Sequence, residues 1–225
     1  MSDLLNNRKS YLLAITVALT FLFAVVFIPS TVESPRAGVF LLKGPGGSGS
    51  AVVIAPNTVL TAKHVMLSNS ETDMELDVNG LSHKITNINS MPVIDVSILT
   101  TEIACPCRNH IITQPRIGEP VWAVGYPLGS LIHTEVVSMG EFQGYATLEG
   151  NRIGITTAQV DPGISGGAMF VKRNGKFYLV GIVVYLIGSN LSGYVPVGEL
   201  PKSNYFINGD QQKRLIFKII QQVFE

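Results

Sequence analysis

Beyond residue 37 the chain is a succession of short apolar, β-branched runs, and no stretch of helical length interrupts them before its tail. GVFLL (38–42), SAVVI (50–54), TVLTA (58–62), VIDVSIL (93–99), PVWAVG (120–125), HTEVV (133–137) and RIGITT (152–157) recur at short intervals between glycine, proline and asparagine punctuation. That spacing belongs to an all-β fold. A hairpin is predicted where residues 168–171 and 177–185 flank Asn174-Gly175, a dipeptide that accepts the two positive φ angles of a type I′ turn. In the tail, Leu215, Ile216, Ile219, Ile220, Val223 and Phe224 recur at helical spacing behind Asn208-Gly209-Asp210, which predicts one C-terminal amphipathic helix over 209–225.

The N-terminus is of another kind. Residues 11–28, YLLAITVALTFLFAVVFI, run for about 18 residues without a charge and would span roughly 27 Å as a helix, close to the thickness of a bilayer core. Arg8 and Lys9 precede the run, so the positive-inside rule predicts a cytoplasmic tail (1–10), a transmembrane anchor (11–28) and an extracytoplasmic or periplasmic remainder after a Pro-containing linker (29–36). A cleaved signal peptide is the alternative; no Ala-x-Ala site follows, and Pro35 blocks the nearest Val-x-Ser. About 190 residues then remain for a folded core.

Lysine plus arginine balance aspartate plus glutamate at 16 each, a formal net charge of +0, so no basic footprint for nucleic acid exists. Cys105 and Cys107 stand one proline apart, too close for an unstrained loop-closing disulfide and too few for a structural zinc site. They read as small loop residues, with a strained local disulfide or a transient metal contact as the alternatives, and neither a resident metal nor a cofactor is expected.

Three segments carry reactive side chains. Gly163-Ile164-Ser165-Gly166-Gly167 sets a serine among glycines whose permissive backbone can aim the N–H groups of Gly163 and Ser165 at one point. The strand-like 59–65, VLTAKHV, ends in His64, behind a neighbouring strand with a glycine entrance, GSGSAVVI (47–54). Asp95 interrupts the apolar run 93–99, where an unpaired carboxylate costs several kcal/mol and therefore needs a partner. His83, His110 and His133 lie in polar or loop-like surroundings and suit the role of a base less well. A serine nucleophile needs a base, a carboxylate to hold that base's tautomer, and N–H donors for the oxyanion.

In order and spacing, about 31 and then about 70 residues apart, the three segments resemble those of the trypsin-like (chymotrypsin-fold) serine peptidases, and within them the HtrA/DegP-like branch. Val124-Gly125-Tyr126-Pro127-Leu128-Gly129 is similar to the glycine-proline loop of HtrA proteases, and Leu179-Val180-Gly181-Ile182-Val183 to the strand walling their substrate pocket. The resemblance covers roughly 38–201. It implies two packed antiparallel six-stranded β-barrels (about 37–115 and 116–207) within a peptidase domain, 37–225, that cleaves polypeptides through His64, Asp95 and Ser165. Gly163 and Ser165 would form the oxyanion hole. Gln159, Asp161, Val183, Val184, Tyr185 and Leu186 would line the substrate pocket, whose apolar character suits a small-to-medium aliphatic P1 residue.

Departures from the family also inform. Ile164 stands where secreted digestive relatives carry an aspartate for a freed N-terminus, so proteolytic zymogen activation is not expected. HtrA relatives usually carry PDZ domains after the protease; residues here end after one short helix, so peptide-tail sensing is not carried over. A catalytically silent binding module and an esterase on the same fold remain as alternative functions; against a lipase-like elbow, hairpin signals rather than a helix follow Ser165.

Overall fold

The computed structural model describes residues 38–67, 73–102, 113–128, 133–187 and 190–200. Strands β1 (Val39–Gly44), β2 (Gly47–Ala55), β3 (Thr58–Thr61), β4 (Glu75–Val78), β5 (Leu81–Ser90) and β6 (Ser97–Thr101) close into one barrel in the order β1-β2-β3-β6-β5-β4. A second closed barrel, β10-β11-β12-β9-β8-β7, comprises β7 (Pro120–Gly125), β8 (Val136–Leu148), β9 (Asn151–Thr156), β10 (Ala168–Arg173), β11 (Lys176–Ile187) and β12 (Leu191–Pro196). All pairings are antiparallel. Helix among the described residues is confined to α1 (Lys63–Leu67) and the 3₁₀ turn Val197–Glu199. No helix among them is long and apolar enough to cross a membrane. The apolar run 11–28, the linker, both cysteines and the C-terminal helix lie outside the described residues.

Side-chain alternation explains how the barrels share a core. Along β10, Ala168 and Phe170 join the apolar cluster that fills the first barrel and its junction with the second, while Met169 and Val171 join the cluster inside the second. Successive side chains of a strand point to opposite faces, so a strand covered on both sides must be apolar throughout. That is why AMFV reads as a continuous apolar run. The β10–β11 hairpin turns at Asn174 (φ 51°) and Gly175 (φ 79°), the two positive values of a type I′ turn.

Inside the second barrel the fully buried Tyr194 ring takes the space that a side chain would need at Gly154, where a Cβ would stand 2.2 Å from the ring. Close packing of this kind fixes β12 against β9.

Two local readings are corrected. His64 does not end a strand: β3 stops at Thr61, and the histidine lies in α1. Asp95 is not within a strand either; it occupies a bend just before β6. In both places the apolar run extends past the strand into buried flanking residues, Val65 and Met66 after β3 and Val96 before β6.

Candidate active site

The register of the first barrel brings His64 and Asp95 together. β3 and β6 pair antiparallel with Thr61 opposite Ser97, so the chain leaving β3 runs beside the chain entering β6. His64 is three residues past that pair and Asp95 two residues before it. His64 Nδ1 lies 2.7 Å from Asp95 Oδ2, and the His64 backbone N–H donates to Oδ1 at 2.9 Å. Burial alone would push the Asp95 carboxyl up, but hydrogen bonds and charge from His64, with a further backbone N–H from Lys63, outweigh it and hold the group below its ordinary value. An ionised carboxylate only accepts, so Nδ1 carries a proton, and it is the tautomer with the lone pair on Nε2 that this bond selects in a neutral ring. Lys63 Nζ donates to the Pro92 carbonyl at 3.1 Å, and Asn151 Nδ2, at the tip of the β8–β9 hairpin, to that of Val93 at 2.9 Å, tying the aspartate loop from both sides.

Ser165 sits in the loop between β9 and β10. Gly166 N–H donates to the Val183 carbonyl at 2.7 Å and Val183 N–H to the Gly167 carbonyl at 2.9 Å, which clasps the loop to β11. Ile164, 2 % exposed, anchors it in the core of the second barrel. Gly163 (φ 99°) and Gly166 (φ 86°) adopt backbone that L side chains rarely take. At Gly166 a Cβ would also stand 2.1 Å from the Ser50 carbonyl oxygen and 2.2 Å from Thr61 Oγ1.

The loop therefore lies against the end of β3, next to α1. Gly49 marks the junction: a Cβ there would be 2.7 Å from Val65 Cγ1 and 3.1 Å from the Ser165 carbonyl oxygen. These approaches bring Ser165 to the edge of the interface that carries His64. The contact of Ser165 to the first barrel is made by its carbonyl, which accepts from Ser50 N–H at 2.8 Å. Among the described residues, no carbonyl takes the N–H of Gly163 or of Ser165.

Of the residues expected to line a pocket, Gln159 and Asp161 are exposed and Leu186 is 64 % exposed. Val183 and Val184 are buried in the two core clusters, so their side chains serve packing rather than an open wall. Tyr185 holds its place in β11 by pairing with Gly193, beside a register shift that follows Val183. No group of three or more potential metal ligands occurs among the described residues.

Sequence reasoning passed over Ser50. This fully buried serine receives the Tyr126 N–H at 2.8 Å and donates to the Gly163 carbonyl at 2.8 Å, while Thr61 Oγ1 donates to its own carbonyl at 2.7 Å. The one local signal was a glycine-flanked serine at a strand entrance, and nothing in it points to a partner 113 residues away.

The family described as trypsin-like peptidase domain matches residues 49–182. Among solved structures, the Rv3671c protease of M. tuberculosis in its active form is similar with a TM-score of 0.65 at 20 % identity, over 76 % of this chain and 83 % of that one. The serine endoprotease of Yersinia pestis gives 0.61 at 20 %, over 83 % and 64 %. The MamO protease domain of Magnetospirillum magneticum gives 0.57 at 17 %, over 72 % and 93 %. An HtrA-type protease is also among these neighbours. At such identities the likeness is one of fold. No curated protein matches the chain. With the family match spanning more than half of the sequence and two closed six-stranded barrels beneath it, the chain belongs to the trypsin-like peptidases.

Proposed function

We propose that this chain is a serine endopeptidase in which Ser165 attacks the scissile carbonyl, His64 takes and returns the proton, and Asp95 holds His64. The observation that carries the reading is the two-point bond of Asp95 to His64, which engages Nδ1 and leaves Nε2 outside that contact, while the Ser165 carbonyl and Val65 of α1 both pack against Gly49. Attack by Ser165 Oγ forms a C–O bond and sends its proton to Nε2. Collapse of the tetrahedral intermediate breaks the C–N bond as the imidazolium returns that proton to the leaving amine. Water then repeats the sequence and releases the acid. Through both steps the oxyanion is served by the N–H groups of Gly163 and Ser165.

The reading extends to substrate and location. Leu186 on β11 is apolar and exposed, as are Leu67, Val93 and Leu128, close in sequence to the site segments, which suits polypeptides with aliphatic side chains. An anchor at 11–28 would restrict the enzyme to membrane-proximal or periplasmic chains, in HtrA-like fashion. The alternative reading is a catalytically silent binding module on the same fold. Hydrolysis of a casein or peptide-library substrate by the purified chain, with Ser165→Ala and His64→Ala as controls, decides between the two. Cleavage undiminished in either variant would remove the catalytic assignment.

A further inference from the structure

The peptide plane between the two oxyanion donors is held at both ends. Its N–H, on Ile164, donates to the Asp161 carbonyl at 3.1 Å. Its carbonyl, on Gly163, accepts from Ser50 Oγ at 2.8 Å. Because Gly163 has φ 99° and no side chain, this plane could otherwise rotate at little conformational cost, carrying the donors out of alignment.

The Ser50 hydroxyl is itself constrained. Tyr126 N–H, just past β7, donates into Oγ at 2.8 Å, so the hydroxyl proton must point elsewhere, and the Gly163 carbonyl is where it goes. Room is short as well: a Cβ at Gly125 would stand 2.7 Å from Oγ. Thr61 Oγ1 and the Ser165 carbonyl meanwhile hold the Ser50 backbone on either side. One residue of the first barrel is thereby bonded to β3, to the end of β7 and to both sides of Ile164 in the nucleophile loop.

We infer that Ser50 is a positioning residue for the oxyanion site, its hydroxyl locking the Gly163–Ile164 peptide so that the N–H groups of Gly163 and Ser165 stay aimed at one point. The inference rests on the peptidase reading above. Such a lock acts on the transition state, where charge reaches the carbonyl oxygen, and hardly on ground-state binding.

The test measures kcat, KM, affinity for a peptidyl boronate and thermal stability for the full chain and for Ser50→Ala. The expected result is a kcat lower by about tenfold to a hundredfold, KM changed by less than about threefold, and boronate affinity falling in parallel with kcat. Ser50→Thr and Ser50→Val, equal in shape and differing in the hydroxyl, give the second comparison and serve if Ser50→Ala does not fold. The threonine variant should exceed the valine variant in kcat by at least about tenfold. Unchanged kcat and boronate affinity in a folded Ser50→Ala, or equal kcat in the threonine and valine variants, would overturn the inference while leaving the peptidase reading standing. A wild-type chain that hydrolyses nothing would overturn both.

Discussion

Asp95 accepts two hydrogen bonds from His64, one from the ring at 2.7 Å and one from the backbone N–H at 2.9 Å. The carboxylate thus fixes the position of the histidine and the tautomer of its ring together. Asp95→Asn preserves the shape but offers an amide that can donate to Nδ1 and stabilise the wrong tautomer. We expect kcat to fall by about 10⁴-fold with KM little changed. Steady-state kinetics checks this; a loss confined to KM would contradict it.

Glu119 and Arg173 tie the connection between the barrels to β10. Arg173 Nε and Nη2 donate to the two carboxylate oxygens at 2.7 Å each, and Nη1 and Nη2 also reach Thr113 Oγ1 and the Gln114 carbonyl. The Arg173 hydrogen bond outweighs burial and holds the Glu119 carboxyl below its ordinary 4.5. A depressed carboxylate contributes stability that is complete above its unfolded value and is lost as pH falls through the folded one. Glu119→Gln should therefore cost about 1–2 kcal/mol near neutral pH, and the gap to wild type should close as pH falls through the depressed folded value. Urea unfolding at several pH values reads this directly; a gap that widens on acidification would be the wrong sign.

Cleavage should follow Val, Ala, Leu or similar residues rather than Lys or Arg if β11, which carries the apolar, 64 % exposed Leu186, walls the substrate pocket as proposed. Asp161 is the residue whose charge would reverse that preference if it faced the pocket. Product sequencing from a peptide library measures it, and a profile dominated by basic P1 residues would assign Asp161 to the pocket.

The apolar run 11–28 predicts a full-length chain in the membrane fraction that resists carbonate extraction and is digestible only from the outer side. Fractionation with intact-mass analysis distinguishes this from a soluble product starting near residues 30–38, the outcome for a cleaved signal.

The fold was legible where burial enforced a pattern. The β10–β11 hairpin could be read from its apolar runs and Asn174-Gly175 because both faces are covered and the turn needs positive φ. Strands β4 and β5 escaped notice because ELDV and LSHKITNINS are polar, with Leu76 and Ile85 their only buried residues. Their signal was Asn79-Gly80, another turn with both φ positive. For the candidate site, the pairing of Asp95 with His64 could be read because a carboxylate among apolar residues needs a partner, and the proposed nucleophile Ser165 stood out by its flanking glycines. Ser50 could not, because its hydrogen-bond partners at Gly163 and Tyr126 arrive only from the other barrel.

Labelling of Ser165 by a fluorophosphonate probe tests the central claim most directly, since it requires an activated nucleophile and no knowledge of the natural substrate. The account predicts stoichiometric labelling of the wild-type chain, none of Ser165→Ala, and strong slowing in His64→Ala. A folded wild-type chain that fails to label, or a Ser165→Ala protein that labels as well, would contradict it.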